Sequence, residues 1–275
     1  MREFHYGRKA LIVFFAITVA LSALVETLIA TTGQEWLYLP LMWLPAIAAF
    51  AAVIVSLRES EERFTLRLYL SKLGFVRCKL RYVLLGCLLP LIYLLVPYII
   101  FWIAFPGSLS LHGTNIAGML IGIAVTLVLG VFLSLISAIG EEIGWRGFMV
   151  PALYERLGLE KTLLISSLFW CCWHLPLLIF GDYMPGTPLW YQVPAFILCI
   201  FPVGVMAGIL SIRTGSVWPA AFLHAAHNDY DQMVFGAITV ADNKMYFVSE
   251  TGVLTIVCAW ILAIILYRRE KKRAD

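Results

Sequence analysis

The chain has 275 residues, of which 61% are hydrophobic and only 13% charged. A soluble globular domain carries nearer a quarter of its residues charged, so this balance excludes an ordinary water-soluble domain. The net charge of +3 comes without any basic face interleaved with aromatic residues, which argues against nucleic acid as a partner.

The apolar residues fall in long runs rather than in alternating patterns, the signature of an all-α, polytopic membrane protein. Eight spans are predicted, over about 10–31, 37–57, 82–105, 116–146, 162–180, 191–211, 216–236 and 251–267. Each approaches or exceeds the roughly 20 residues that cross a bilayer. The first run begins near Lys9 without a small-residue cleavage site, so it reads as a retained helix and not a removed signal peptide. The fourth is longer and is expected to project past the membrane at its C-terminal end.

Lysine and arginine placement sets the expected orientation. The N-terminus carries Arg2, Arg8 and Lys9. The 58–81 connector carries seven basic residues and the 146–161 connector carries Arg146, Arg156 and Lys161. Arg213 follows the sixth span, and the tail carries Arg268, Arg269, Lys271, Lys272 and Arg273. With eight spans and both termini cytoplasmic, 19 of the 20 basic residues share one side and only Lys244 lies on the other. The protein is therefore expected in the cell membrane, with the lipid bilayer as its first partner. The 58–81 connector mixes charge with leucine and phenylalanine, and suits either an interfacial amphipathic helix or an ordinary basic loop. The six cysteines show no C-x-x-C spacing and read as small buried hydrophobes. Three parts are expected: N-terminal helices over 1–115, a core over 116–236, and a last helix with a basic tail over 237–275.

Ionisable groups within such runs are costly unless paired or wet. Glu26 stands alone near the outer end of the first span, and snorkelling or a local hydrogen bond accounts for it. In "SAIGEEIGWRGF", Glu142 and Arg146 are spaced i, i+4 and can pair. Glu141 points about 100° away around the helix. One arginine cannot neutralise both carboxylates, so Glu141 becomes a candidate general base if it faces a shielded cavity. His174 lies within the fifth span, in "LFWCCWHLP". His224 and Asn228 share a face of the seventh, in "PAAFLHAAHNDYD", with His227 and Asp229 beside them. At about 1.5 Å per residue, Glu141, His174 and His224 lie roughly 8, 18 and 12 Å from the basic ends of their spans. They can therefore share a pocket open to the cytoplasm.

These residues resemble a known set. "EEIGWR" (Glu141–Arg146) matches the EExxxR motif of the CAAX protease and bacteriocin-processing family, also called the Abi or type II CAAX prenyl endopeptidase family. "HAAHN" matches its HxxxN motif at His224 and Asn228. His174 matches the histidine of its FxxxH motif, although Trp170 stands where the phenylalanine would be and Phe169 lies one place earlier. The resemblance covers roughly residues 130–235.

The resemblance implies an intramembrane endopeptidase that activates water to cut near the C-terminus of a membrane-associated protein or peptide. Some family members remove three residues from prenylated CaaX proteins, and others are linked to bacteriocin maturation or immunity. On that basis Glu141 is the expected general base and His174 the residue that holds water. His224 and Asn228 become oxyanion donors, and Glu142 and Arg146 either orient Glu141 or anchor the substrate's terminal carboxylate. No cofactor is required in this version. In a metal version, Glu141, His174 and His224 would ligate zinc and leave an open position for water. Intramembrane Glu, His and Asn also occur in proton-coupled transporters, and a peptide-binding immunity protein without turnover would keep the same residues. The substrate is expected to approach from the cytoplasmic leaflet; the sequence does not say whether it is prenylated.

Overall fold

A computed structural model of the chain describes residues 5–60, 63–110, 116–181, 183–184 and 186–274. Arg2 and part of the 58–81 connector lie outside these. In chain order the α-helices are α1 (Arg8–Thr32), α2 (Tyr38–Glu59), α3 (Leu66–Lys72), α4 (Leu80–Ala104), α5 (Ile116–Val125) and α6 (Val131–Glu142). They continue with α7 (Val150–Phe180), α8 (Leu189–Thr214), α9 (Trp218–Asn228), α10 (Lys244–Phe247) and α11 (Val253–Ala274). Among the described residues there is no β-strand, only an isolated bridge between Leu109 and Thr239. The protein is an all-α, multi-pass membrane protein.

Its helices are long because almost every residue in them is apolar and the backbone can satisfy itself only internally. The 25 residues of α1 extend roughly 38 Å, enough to cross a hydrocarbon core of about 30 Å. Pro45, Pro90, Pro97, Pro194 and Pro202 sit inside helices that continue past them, as membrane helices tolerate. Large apolar side chains point outward, Ile103, Leu133 and Ile12 among them. That surface suits lipid, not water.

Among the described residues, five helical stretches are long and apolar enough to cross a membrane: Arg8–Thr32, Glu35–Glu59, Leu80–Ala104, Ile121–Phe180 and Leu189–Thr214. The expected spans over 216–236 and 251–267 coincide with helix but are not among the five. The expected fourth and fifth spans fall together in the 60-residue stretch. A connector was predicted between them at 146–161; the chain there stays helical instead. It widens to a π-helix over Ile143–Met149 and departs from helical geometry only at Gly158 (φ 71°, ψ −175°). That left-handed φ is one glycine adopts without strain, so the break falls there.

The 58–81 connector is neither a continuous amphipathic helix nor a plain loop. Among its described residues between α2 and α4, the helical ones are the seven of α3, with the Thr65 hydroxyl accepting from the Leu68 N–H at 3.1 Å. Lys72 turns inward, fully buried, and donates to the His5 carbonyl at 2.6 Å. The following turn docks on the start of α9, where the Val217 N–H donates to the Gly74 carbonyl at 2.9 Å.

The basic segments gather at one end of the bundle. His5 meets Glu155 at 2.6 Å, Arg213 pairs with Glu270, and Lys271 pairs with Glu160 at 2.6 Å. Lys244 lies elsewhere, donating to the Gly236 and Thr239 carbonyls at 3.0 Å each.

Two glycines let α2 reach the helix that carries the paired glutamates. A Cβ on Gly140 would lie 2.8 Å from the Trp43 ring, and one on Gly144 would lie 2.4 Å from Pro45 Cβ. No larger residue fits either place without moving α2 outward.

Candidate active site

Each of the two motif helices ends on site residues and then widens. Glu141 and Glu142 are the last residues of α6, before the π-helix Ile143–Met149. Asn228 is the last residue of α9, before the π-helix Asp229–Phe235. Such widened turns frequently mark functional sites. His174 comes from the last quarter of α7, one turn after Trp170.

The two glutamates diverge, as their adjacency requires. Oε1 of Glu142 accepts from Nη1 of Arg146 at 2.7 Å and from Nδ1 of His224 at 3.0 Å. All three are buried, Glu142 completely. Oε2 of Glu141 accepts from two indoles, Nε1 of Trp170 at 2.8 Å and Nε1 of Trp145 at 3.1 Å. The Arg146 guanidinium is committed to Glu142 and stacks over the Trp170 ring at 4.3 Å. Glu141 is therefore the carboxylate without a cation of its own, solvated by neutral donors.

Hydrogen-bond roles fix the imidazoles. Nδ1 of His174 lies 2.8 Å from the Trp170 carbonyl. A carbonyl only accepts, so Nδ1 carries the proton and Nε2 is left with a lone pair. Nδ1 of His224 faces a carboxylate oxygen and by the same rule donates. Trp170 touches the whole set: its edge meets His174 at 5.7 Å and His224 at 5.3 Å between ring centroids. Trp173 and Phe196 flank His174 at 5.0 and 5.3 Å.

The fold thus brings Glu141, Glu142, Arg146, His174 and His224 around one indole. Asn228, one turn beyond His224, is half-buried, and its amide has no hydrogen-bond partner among the described residues. Glu142 and Arg146 serve His224 and each other, where the sequence offered orientation of Glu141 or capture of a substrate carboxylate. Among the described residues no three His, Cys, Asp or Glu side chains converge in a way that could hold a metal ion, the trio Glu141, His174 and His224 included.

Two further features escaped the sequence, and the reading of Glu26 as a snorkelling or locally bonded residue changes. Trp145 and Trp170 looked like packing, because an indole inside an apolar run gives no sign of where its N–H points. A second buried polar group lies beside the first: His227 bonds Tyr93 at 2.8 Å and Glu250 at 3.2 Å. Next to it, Asp231 accepts from Tyr98 at 3.0 Å and from Ser249 at 2.6 Å. Glu250 and Ser249 precede α11 in what reads as a polar loop, so only the histidine and the adjacent acids hinted at this cluster. Glu26 is buried on α1, one turn from Ser22, whose hydroxyl accepts from Trp173 at 2.7 Å; Oε1 of Glu26 itself has no partner among the described residues.

Comparison with known proteins places the chain in a family. Residues 123–229, which contain Glu141, His174, His224 and Asn228, match the family model described as type II CAAX prenyl endopeptidase Rce1-like. The chain is also 31% identical over 192 residues to CAAX prenyl protease 2 of Methanococcus maripaludis. That match covers 66% of this chain and 66% of the relative's own length. The motifs, the helices that carry them and this relative lead to one conclusion: the chain belongs to the type II CAAX prenyl endopeptidase family.

Proposed function

We propose that the protein is an intramembrane endopeptidase that cuts a peptide bond near the C-terminus of a membrane-held protein or peptide, with water activated by Glu141. A prenylated CaaX-type C-terminus is the first substrate class to test, because the relative's name states that class. The observation that carries the reading is the gathering of Glu141, His174 and His224 around Trp170, in an interior where each polar group is costly unless used.

In this reading one oxygen of Glu141 takes a proton from water as the water oxygen attacks the scissile carbonyl carbon. His174 offers its Nε2 lone pair to the water's other hydrogen. Negative charge builds on the former carbonyl oxygen, where the Asn228 amide and Nε2–H of His224 donate. With Nδ1–H aimed at Glu142, His224 can donate from Nε2 only as an imidazolium. That cation completes a neutral set: two carboxylates against Arg146 and His224. Glu141 then passes its proton to the amine nitrogen as the C–N bond breaks. General-base action supplies about 10²–10⁴-fold and one oxyanion donor about 10²–10³-fold. No step is routed through a metal.

The basic end of the bundle faces the cytoplasm of the cell membrane in this proposal, and substrate arrives from that leaflet. The test is cleavage of a farnesylated CaaX peptide by purified protein in lipid discs. Glu141→Gln is expected to lose at least about 100-fold in kcat. Full activity in Glu141→Gln, or no cleavage of prenylated and unprenylated peptides by the wild type, overturns the reading.

A further inference from the structure

Glu141 and Trp170 belong to different helices, 29 positions apart, yet Nε1 of Trp170 donates to Oε2 at 2.8 Å. Trp145, one turn beyond Glu141, donates to the same oxygen at 3.1 Å. Both indoles are essentially fully buried, so neither N–H has water as an alternative. No protein donor reaches Oε1 among the described residues. The two oxygens of one carboxylate are thus in unlike states, one doubly solvated by indoles and one open.

We infer that Trp170, together with Trp145, is a positioning residue that holds Oε2 of Glu141 so that Oε1 is the oxygen that takes the proton from water. This deepens the reading of Glu141 as general base and rests on it. The chemistry is one-directional: an indole N–H donates and cannot accept. A proton arriving on Oε2 would put an O–H against two N–H donors, so it goes to Oε1. The pair also fixes the carboxylate's rotation, since a side-chain torsion left free would sweep Oε1 out of line with the water beside His174. Trp170 is the element that matters most, because it alone ties Glu141 on α6 to the helix that carries His174. A phenylalanine at position 170 would pack there but supply no donor, so this site depends on the departure from the FxxxH pattern.

The experiment replaces Trp170 with 3-benzothienylalanine, which keeps the bicyclic shape and exchanges N–H for sulfur, alongside Trp170→Phe. Cleavage of a farnesylated CaaX peptide is measured in lipid discs, and indole ¹⁵N–¹H spectra are recorded for wild type and Glu141→Ala. The expected result is a kcat about 10- to 100-fold lower in the benzothienyl protein with KM within about twofold, the split that marks a group acting on the transition state alone. Two indole signals, those of Trp145 and Trp170, should move upfield in Glu141→Ala while the rest stay in place, which also shows that the variant is folded. Unmoved indole signals, or an unchanged kcat in the benzothienyl protein, overturn the inference. Retained cleavage in Glu141→Ala instead removes Glu141 as the base, and the spectra separate that failure from a failure of the hydrogen bonds.

Discussion

Oε1 of Glu142 lies 3.0 Å from Nδ1 of His224, 82 positions later in the chain, while Arg146 holds the same oxygen from the other side at 2.7 Å. This three-way contact joins the α6 motif to the α9 motif and sets which nitrogen of His224 faces the cleft.

Removing Glu142 leaves Arg146 buried without its counter-ion. Glu142→Ala is expected to destabilise the protein by about 3–5 kcal/mol, as breaking a buried pair does. Replacing both partners together, as Glu142→Gln with Arg146→Met, should recover much of that stability and still leave activity low, because His224 has lost the carboxylate that balances its cationic form. Thermal unfolding in detergent and peptide cleavage read the two effects separately. A double variant with wild-type turnover would show that the His224 contact has no part in catalysis.

His174 and Asn228 should fail in the same way for different reasons. His174→Ala loses the lone pair that holds water, and kcat should fall by about 10²–10⁴. Asn228→Ala loses an oxyanion donor, with a fall of about 10²–10³. Both falls belong in kcat with KM little changed. A rise confined to KM for either variant would reassign that residue to substrate binding.

Chelation should leave turnover intact. The proposed chemistry uses the protein's own groups. Protein dialysed against a strong chelator and measured for zinc should cleave at the untreated rate. Stoichiometric zinc whose removal and return tracked activity would replace this mechanism with the metal version.

Gly144→Ala probes the fit of α2 against the helix that carries Glu141. The new Cβ would lie 2.4 Å from Pro45 Cβ, inside any real contact. Overpacking of this kind costs about 1–3 kcal/mol, and activity should drop with it because the same helix carries Glu141. An unshifted unfolding temperature in Gly144→Ala would mean that α2 yields freely.

Much of this protein was legible in one dimension. Apolar runs announced membrane helices because lipid leaves the backbone no other partner. The basic residues gave an expected orientation, because charge resists transfer across lipid. Glu142 and Arg146 were legible as a pair because i, i+4 spacing is local geometry that any helix enforces. The division of labour between adjacent glutamates followed from the same geometry, since consecutive residues on a helix cannot face one way.

The tertiary structure decided what lies across helices. Sequence spacing carries no information about which face of α7 meets which face of α6. It therefore could not show that the Trp170 N–H reaches Glu141, that His224 caps Glu142, or that Glu250 comes in to meet His227. The break between the two central helical segments also moved to Gly158, because hydropathy marks where a chain turns polar and not where it stops being helical. Residues whose neighbours lie along one helix were determined by the sequence. Those whose partners arrive from another helix were settled only when packing in three dimensions aimed their donors and acceptors at each other.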